Sequence, residues 1–259
     1  MSGSVFENVV CGVDDSDAGL AAARIAGRVT APGGRLKLLS IVHSAQAVHA
    51  GYAATPVLAR LEREAQEAVD RARAAIELGG EVVTELVSGS PLRVLDSTID
   101  REGATLVVVG RHGRSRAAGI ALGSVATHLL HGAPCSVLVT PAAELDDWPR
   151  SIVVGSDGSA CARRAVAAAV ELGRRLSASV RVLVATGDGA VDLAAAREAA
   201  PELEEHAGKP VDVLVGASAE ADLVVLGNRG LQGLKALGSV GERVAHGARC
   251  PVLVVRNSR

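Results

Sequence analysis

Aromatic residues are almost missing from this chain. In 259 residues there is one Trp, one Tyr and one Phe. Any core must therefore be built from Val, Leu, Ile and Ala, and a bound base or sugar must rest on aliphatic side chains. That excludes the aromatic stacking platforms on which single-stranded nucleic acids are usually held. Excess positive charge is missing too: 27 Lys and Arg against 29 Asp and Glu give a formal net charge of −2. The electrostatic footprint of a DNA-binding protein is not there. No apolar run approaches the length needed to span a bilayer. The N-terminal residues, Met-Ser-Gly-Ser-Val-Phe-Glu-Asn, lack a basic stretch followed by an apolar one, so they do not read as a signal peptide. Cysteine is scarce: Cys11, Cys135, Cys161 and Cys250 form no CxxC pair. They read as small buried hydrophobes in a reducing compartment. Together these absences predict a cytoplasmic protein with no nucleic-acid and no membrane partner.

What the chain does have is a repeat. Val9-Val-Cys-Gly-Val-Asp-Asp-Ser16 returns as Ile152-Val-Val-Gly-Ser-Asp-Gly-Ser159. Leu122-Gly-Ser-Val125 returns as Leu237-Gly-Ser-Val240, and His131-Gly-Ala-Pro-Cys135 as His246-Gly-Ala-Arg-Cys250. A duplicated unit sets the domain count. The expected organisation is a first domain over 1–142, a linker over 143–150 and a shortened second domain over 151–259. The linker follows from two prolines and an acidic cluster between Pro141 and Arg150.

Within the first half, strands alternate with helices. Val-rich or apolar runs at Asn8–Val13, Leu36–Val42, Glu81–Val87, Thr105–Val109 and Cys135–Thr140 predict five strands. Residues 17–30 are Ala-rich and helical in pattern. Residues 56–78 carry an apolar stripe at Leu58, Leu61, Ala65, Ala68, Ala72 and Ile76. Pro91 opens another helix, and Ser124 to about His131 forms the last. Alternation of this kind predicts an α/β fold: an open, doubly wound parallel sheet with helices on both faces. In such sheets ligands bind beyond the carboxyl ends of the strands.

The second half is shorter. Its first two strands match with an offset of 143, whereas Pro210 matches Pro91 with an offset of 119, so 24 residues are missing between them. The equivalent of the third strand is poorly encoded in the polar run after Pro201, and residues 211–221 read as a helix.

Most of the chemistry lies in Val109-Gly110-Arg-His-Gly113 and the following stretch to Gly123-Ser124-Val125. Gly110 follows a buried strand, Gly113 comes three residues later, and Ser124 opens a helix. Glycines let main-chain amides approach an anion, and a helix N-terminus adds free amides and a favourable dipole. Ser124 either caps its helix or donates to a phosphate. Arg111, His112, Arg114 and Arg116 add positive character. The spacing is neither a Walker loop nor a dinucleotide fingerprint. Asp14 ends the first strand and faces the same crevice. It could hold a ribose hydroxyl, or share helix capping with Asp15, Ser16 and Asp17. His128 and His131 lie three apart on one helix, but three or four converging ligands are needed for zinc and no acidic residue is evident beside them, so no metal site is predicted. Nothing resembles a Ser-His-Asp triad, and no catalytic residue is assigned.

Gly110, Gly113, Gly123 and Ser124 fit the pattern Gly-x2-Gly-x9-Gly-Ser/Thr, and on these residues the chain resembles a tandem member of the universal stress protein family, from about Asn8 to Val255. The resemblance implies a strand order of 3-2-1-4-5 in each half, ATP binding in many members with magnesium optional, and dimer-like pairing through the last strand. The two halves would then form an intramolecular pseudo-dimer; whether two chains associate further stays open. Carried over by position, Asp14 would contact ribose and Ile41 adenine. Val109 and Gly110 would border the ribose, and Gly113, Gly123, Ser124 and Val125 would hold the phosphates. The second half departs from the pattern. Only seven residues separate Gly230 from Gly238, and Asp157 and Val184 stand as counterparts of Asp14 and Ile41. Weaker nucleotide binding, or none, is expected there. The implied function is an ATP-binding regulatory or stress-response module rather than an enzyme. Two rivals remain: a slow ATPase or nucleotidyl-transferring enzyme, and a nucleotide-free interaction protein whose glycines only shape turns.

Overall fold

Short, nearly continuous apolar runs cannot leave either face in water, so they become central strands of a sheet covered on both sides. In the computed structural model, which describes residues 6–43, 54–113, 122–142, 147–187, 191–228 and 239–256, this is what they form. Strand β1 is Asn8–Val13, β2 Arg35–Val42, β3 Glu81–Ser88, β4 Leu106–Gly110 and β5 Ser136–Thr140. The helices between them are α1 (Asp17–Val29), α2 (Ala54–Ala74), α3 (Pro91–Glu102) and α4 (Ser124–Gly132). The second half gives β6 (Ser151–Gly155), α5 (Ala160–Leu176), β7 (Ser179–Ala185), α6 (Leu193–Ala199) and β8 (Glu204–His206). It ends with α7 (Pro210–Ala217), β9 (Leu223–Gly227), α8 (Val240–Gly247) and β10 (Val252–Val255).

The chain divides into two compact units. The first comprises residues 1–128 with 142–144, the second 129–141 with 145–259. In the first unit the parallel order is β3-β2-β1-β4, with Val9 opposite both Leu36 and Leu106. In the second unit the order β10-β9-β6-β7-β8 repeats the 3-2-1-4-5 topology with its own five strands, again all parallel. Strand β5 counts with this unit and pairs antiparallel with β10, Val137 to Val139 against Val254 to Val252. The α/β class and the sheet topology predicted from the sequence are those observed.

Local rules set the element ends. Ser16 caps α1 by accepting the Gly19 amide at 3.0 Å. Pro91 occupies the first turn of α3, where its missing N–H costs nothing, and Gly103 closes that helix in the left-handed conformation. The predicted stripe of α2 is buried at Leu61, Ala65, Ala68 and Ala72, with Ile76 just beyond the helix. The sole tryptophan, Trp148, is buried and donates its indole N–H to the Asp222 carbonyl at 2.7 Å within the second unit. The side chain of Asp222 accepts the amides of Arg150 and Ser151. Residues 143–146 of the expected linker lie outside the described residues.

Two features of the second half differ from the sequence reading. The register pairs Gly12 with Leu39 but Gly155 with Leu183, so the offset on β7 is 144, not 143. The counterpart of Ile41 is therefore Ala185 rather than Val184, because α5 and its turn into β7 hold one more residue than α1 and its turn into β2. The polar run after Pro201 also supplies a third strand after all: Glu204–His206 pairs in parallel with Leu183–Ala185.

The missing residues shorten the helix between the second and third strands from the 21 residues of α2 to the seven of α6, with a direct packing consequence. On α1, Gly27 receives Ile76 so closely that an added Cβ would stand 2.8 Å from its Cγ2. The matching position on α5 is Val170, which is 52% exposed. Gly27→Val should lower stability by about 1–3 kcal/mol through overpacking. Val170→Gly should cost no more than the backbone penalty of about 1 kcal/mol. Denaturant titration of the two variants against the parent checks this asymmetry.

Candidate functional site

Beyond the carboxyl ends of β1 and β4, three pieces of chain meet. The first is Asp14, half-buried at the exit of β1. Its Oδ1 accepts the Ser16 amide at 3.2 Å and the Ser16 hydroxyl at 2.5 Å. The same hydroxyl accepts the Gly19 amide and reaches the His112 carbonyl at 3.5 Å. Ser16 thus ties together the aspartate, the start of α1 and the chain leaving β4. The sequence reading weighed a ribose contact against helix capping for Asp14 and missed this grip. The signal was present in the Asp-x-Ser spacing, which favours an Asx turn and recurs in Asp157-Gly158-Ser159.

The second piece is the chain after β4. Val109 is buried, its Cγ1 3.3 Å from where a Cβ of Gly12 would lie, so its side chain belongs to the core and only its main chain borders the crevice. Gly110 is half-buried at the strand end against Ala18. Gly113 is exposed and lies against the aspartate: a Cβ built on it would stand 2.7 Å from Asp14 Oδ2. Arg111 and His112 are half-buried between them, while Arg114 and Arg116 lie outside the described residues.

The third piece is the start of α4. The Gly123 amide donates to the Arg111 carbonyl at 2.8 Å, and the Gly123 carbonyl accepts Thr127. The Gly123 amide is thus engaged within the protein, joining the start of α4 to the chain leaving β4. The amides of Ser124 and Val125 open the helix, where no intrahelical acceptor exists. Ser124 is exposed, and among the described residues its hydroxyl has no protein partner. Ile41 lies beside this group rather than within it. Val13 pairs with Ser40, so Ile41 and Asp14 are the next residues along adjacent strands.

Charge at this crevice is felt in the core. Burial, and then the negative charge of Asp14, push the Cys11 thiol well above its ordinary range, so it stays a neutral thiol. Cys135 and Cys250 are likewise buried and form no disulfide. His128 has an acidic neighbour that the sequence did not reveal: its Nε2 stands 2.8 and 3.0 Å from the two carboxylate oxygens of Asp96 on α3. That pair bridges α3 and α4, and no group of three His, Cys, Asp or Glu suited to a metal occurs among the described residues. In the second half Gly227 is described, whereas Gly230 and Gly238 lie outside the described residues. No helix among the described residues is long and apolar enough to cross a membrane.

Comparison with known proteins adds the following. The model of the universal stress protein family matches residues 6–141 and 189–256. A universal stress protein of Mycobacterium tuberculosis is 30% identical over 99% of this chain and 99% of its own length. One from Mycolicibacterium smegmatis is 28% identical over 96% of each chain. Among solved structures, a universal stress protein from Archaeoglobus fulgidus superposes with a TM-score of 0.71 at 20% identity, covering 97% of both chains. That last likeness concerns the fold.

Proposed function

The chain belongs to the universal stress protein family, and on that premise we propose that its first half binds an adenine nucleotide, ATP, as a regulatory module of the stress response. The observation that carries the reading is the convergence of Asp14, Gly113 and the first turn of α4 at the carboxyl ends of β1 and β4. Open α/β sheets bind ligands at that end. The residues present suit a nucleoside polyphosphate. The outer oxygen of Asp14 faces the crevice beside Gly113, where a ribose hydroxyl would donate to it. The amides of Ser124 and Val125, the Ser124 hydroxyl and the helix dipole favour a phosphate group. Main chain rather than side chain lines the approach at Val109, Gly110 and Gly113, which suits close contact with a flat, charged ligand. Ile41 gives the base an aliphatic neighbour, in keeping with the near absence of aromatic residues.

Bound ATP brings its own divalent cation, and magnesium would travel with the phosphates. The residues here bind and orient; Asp14 is held by Ser16 and is not poised to activate water. The protein is read as a binding module and not a catalyst, acting in the cytoplasm. The two halves are proposed to work as a pseudo-dimer, for which the antiparallel pairing of β5 with β10 is the supporting contact.

Mass spectrometry of small molecules released on denaturing freshly purified protein tests the reading. ATP or another adenine nucleotide in near-stoichiometric amount is expected. No released nucleotide, together with no thermal shift on adding ATP, would sink it in favour of an interaction protein. Steady phosphate release from added ATP would move it to the enzyme class.

A further inference from the structure

The repeat places the same pair of helices in both halves, with different chemistry between them. In the first half α3 and α4 are bridged by Asp96 and His128, at 2.8 Å from His128 Nε2 to the nearer carboxylate oxygen. In the second half the corresponding helices are α7 and α8. Pro210 answers to Pro91 and His246 to His131, which aligns Val215 with Asp96 and Arg243 with His128. The base of the bridge has become a permanent cation, while its carboxylate has become a valine. The helices still approach closely at one end, where a Cβ on Gly247 would stand 3.1 Å from Val215 Cγ2.

A cavity of about 610 Å³ lies between α7 and α8, lined by Val211, Asp212, Val215, Arg243, His246 and Gly247. That volume lies in the range of small-ligand sites. Val211 and Val215 are half-buried, and the three polar side chains are exposed. Two of those three have a task within their own helix. Asp212 stands in the first turn of α7 and His246 in the last turn of α8, each at the end where the helix dipole favours its charge. Arg243 holds neither position. Among the described residues it has no carboxylate within ion-pair distance, whereas its counterpart His128 has one.

The lining selects a ligand by its chemistry. A guanidinium grips a carboxylate through two parallel N–H donors. His246, three residues further along α8, offers another ring N–H. Val211 and Val215 give an aliphatic body something to lie on. Asp212, on the same helix as the two valines, opposes a second negative charge, which disfavours phosphates and dicarboxylates.

We propose that the groove between α7 and α8 binds a small aliphatic monocarboxylate, whose carboxylate meets Arg243 as that of Asp96 meets His128. The groove is formed by residues of the second unit alone, and the proposal stands apart from the nucleotide reading of the first half.

The test titrates the full chain with hexanoate, followed by amide-resolved NMR. Saturable shifts are expected at Val215, Arg243 and Gly247, with a dissociation constant on the order of 1–10 mM, since an exposed ion pair is weak. Hexanol, which has the chain without the charge, and inorganic phosphate, which has charge without the chain, should give no saturable shift at these amides. Arg243→Gln should weaken hexanoate at least tenfold. Val215→Asp should do the same, by supplying from within the carboxylate that the second half lacks. Because both positions lie at the surface of the groove, either folded variant decides the matter. Absence of a saturable hexanoate response in the parent protein overturns the proposal. So does affinity unchanged in Arg243→Gln, or binding of hexanol or phosphate as tight as that of hexanoate. Loss of ATP binding in the first half would leave this result untouched.

Discussion

Gly113→Val should abolish ATP binding, with at least a hundredfold loss of affinity by isothermal titration and no thermal shift on adding ATP. Even the first carbon of a side chain at this position would sit 2.7 Å from Asp14 Oδ2, inside van der Waals contact. A branched side chain must therefore displace the aspartate or the loop. Asp14 cannot swing away cheaply, because its other oxygen is held by both the amide and the hydroxyl of Ser16. The two elements that would hold ribose and phosphate move apart together. A hundredfold loss corresponds to about 2.7 kcal/mol, within reach of one displaced polar contact plus strain. Gly113→Ala should fall between parent and valine variant. Affinity unchanged in a folded Gly113→Val protein would remove the proposed site from this crevice.

The second large effect concerns stability. Lys37 lies on β2 with its side chain 9% exposed, between Glu85 at 2.6 Å and Glu102 at 2.7 Å. Arg35 holds the other oxygen of Glu102, and Arg101 reaches both oxygens of Glu85. Burial alone would lower the Lys37 ammonium, but its hydrogen bonds to Glu102 and Glu85 outweigh that and raise it. The hydrogen bond from Lys37 is also the main reason Glu102 stays below the usual carboxylate range, against the opposing effect of burial. Lys37→Met removes the central cation and leaves two carboxylates facing each other with only the arginines beside them. The expected loss is about 3 kcal/mol at neutral pH, because breaking such a pair strands a poorly solvated charge.

The pH dependence has a definite sign. Glu102 is depressed in the folded protein, so its contribution is full above the ordinary carboxylate range and fades as pH falls through the folded value. Lys37 is raised, so its contribution is full below the ordinary lysine range and fades as pH climbs through the folded value. The gap between parent and Lys37→Met should therefore be widest between these limits and shrink on acidification below about pH 4. Urea titrations at several pH values measure it, and a gap that grows on acidification would contradict the assignment.

Much of the architecture could be read from the residues because the determining forces were local or periodic. Buried valine runs, the stripe on α2 and Pro91 each act within a turn or two of chain. The candidate site was legible as a set of residues, since Gly110, Gly113, Gly123 and Ser124 share one spacing with the loop between a strand and a helix. It was not legible as geometry. That Gly123 uses its amide to close the loop on Arg111, and that Val109 turns its side chain to Gly12, depend on contacts between distant segments. The same is true of His128, whose partner Asp96 lies 32 positions away on another helix. In the second half the one-residue register difference on β7 is set by strand pairing, and composition carries no trace of it. The three-residue strand Glu204–His206 was missed because three successive polar residues on a short edge look like a loop until a neighbour supplies hydrogen bonds.

Trp148 gives this chain an optical asymmetry. The only indole sits at the entrance to the second half, shielded from water and bonded to the Asp222 carbonyl. Its emission is therefore a private reporter of that unit. Loss of the signal on heating or in denaturant follows the opening of residues around β6 and β9, and leaves the melting of the first half to be followed by circular dichroism. A change in that emission on adding a ligand would therefore report a response within the second unit.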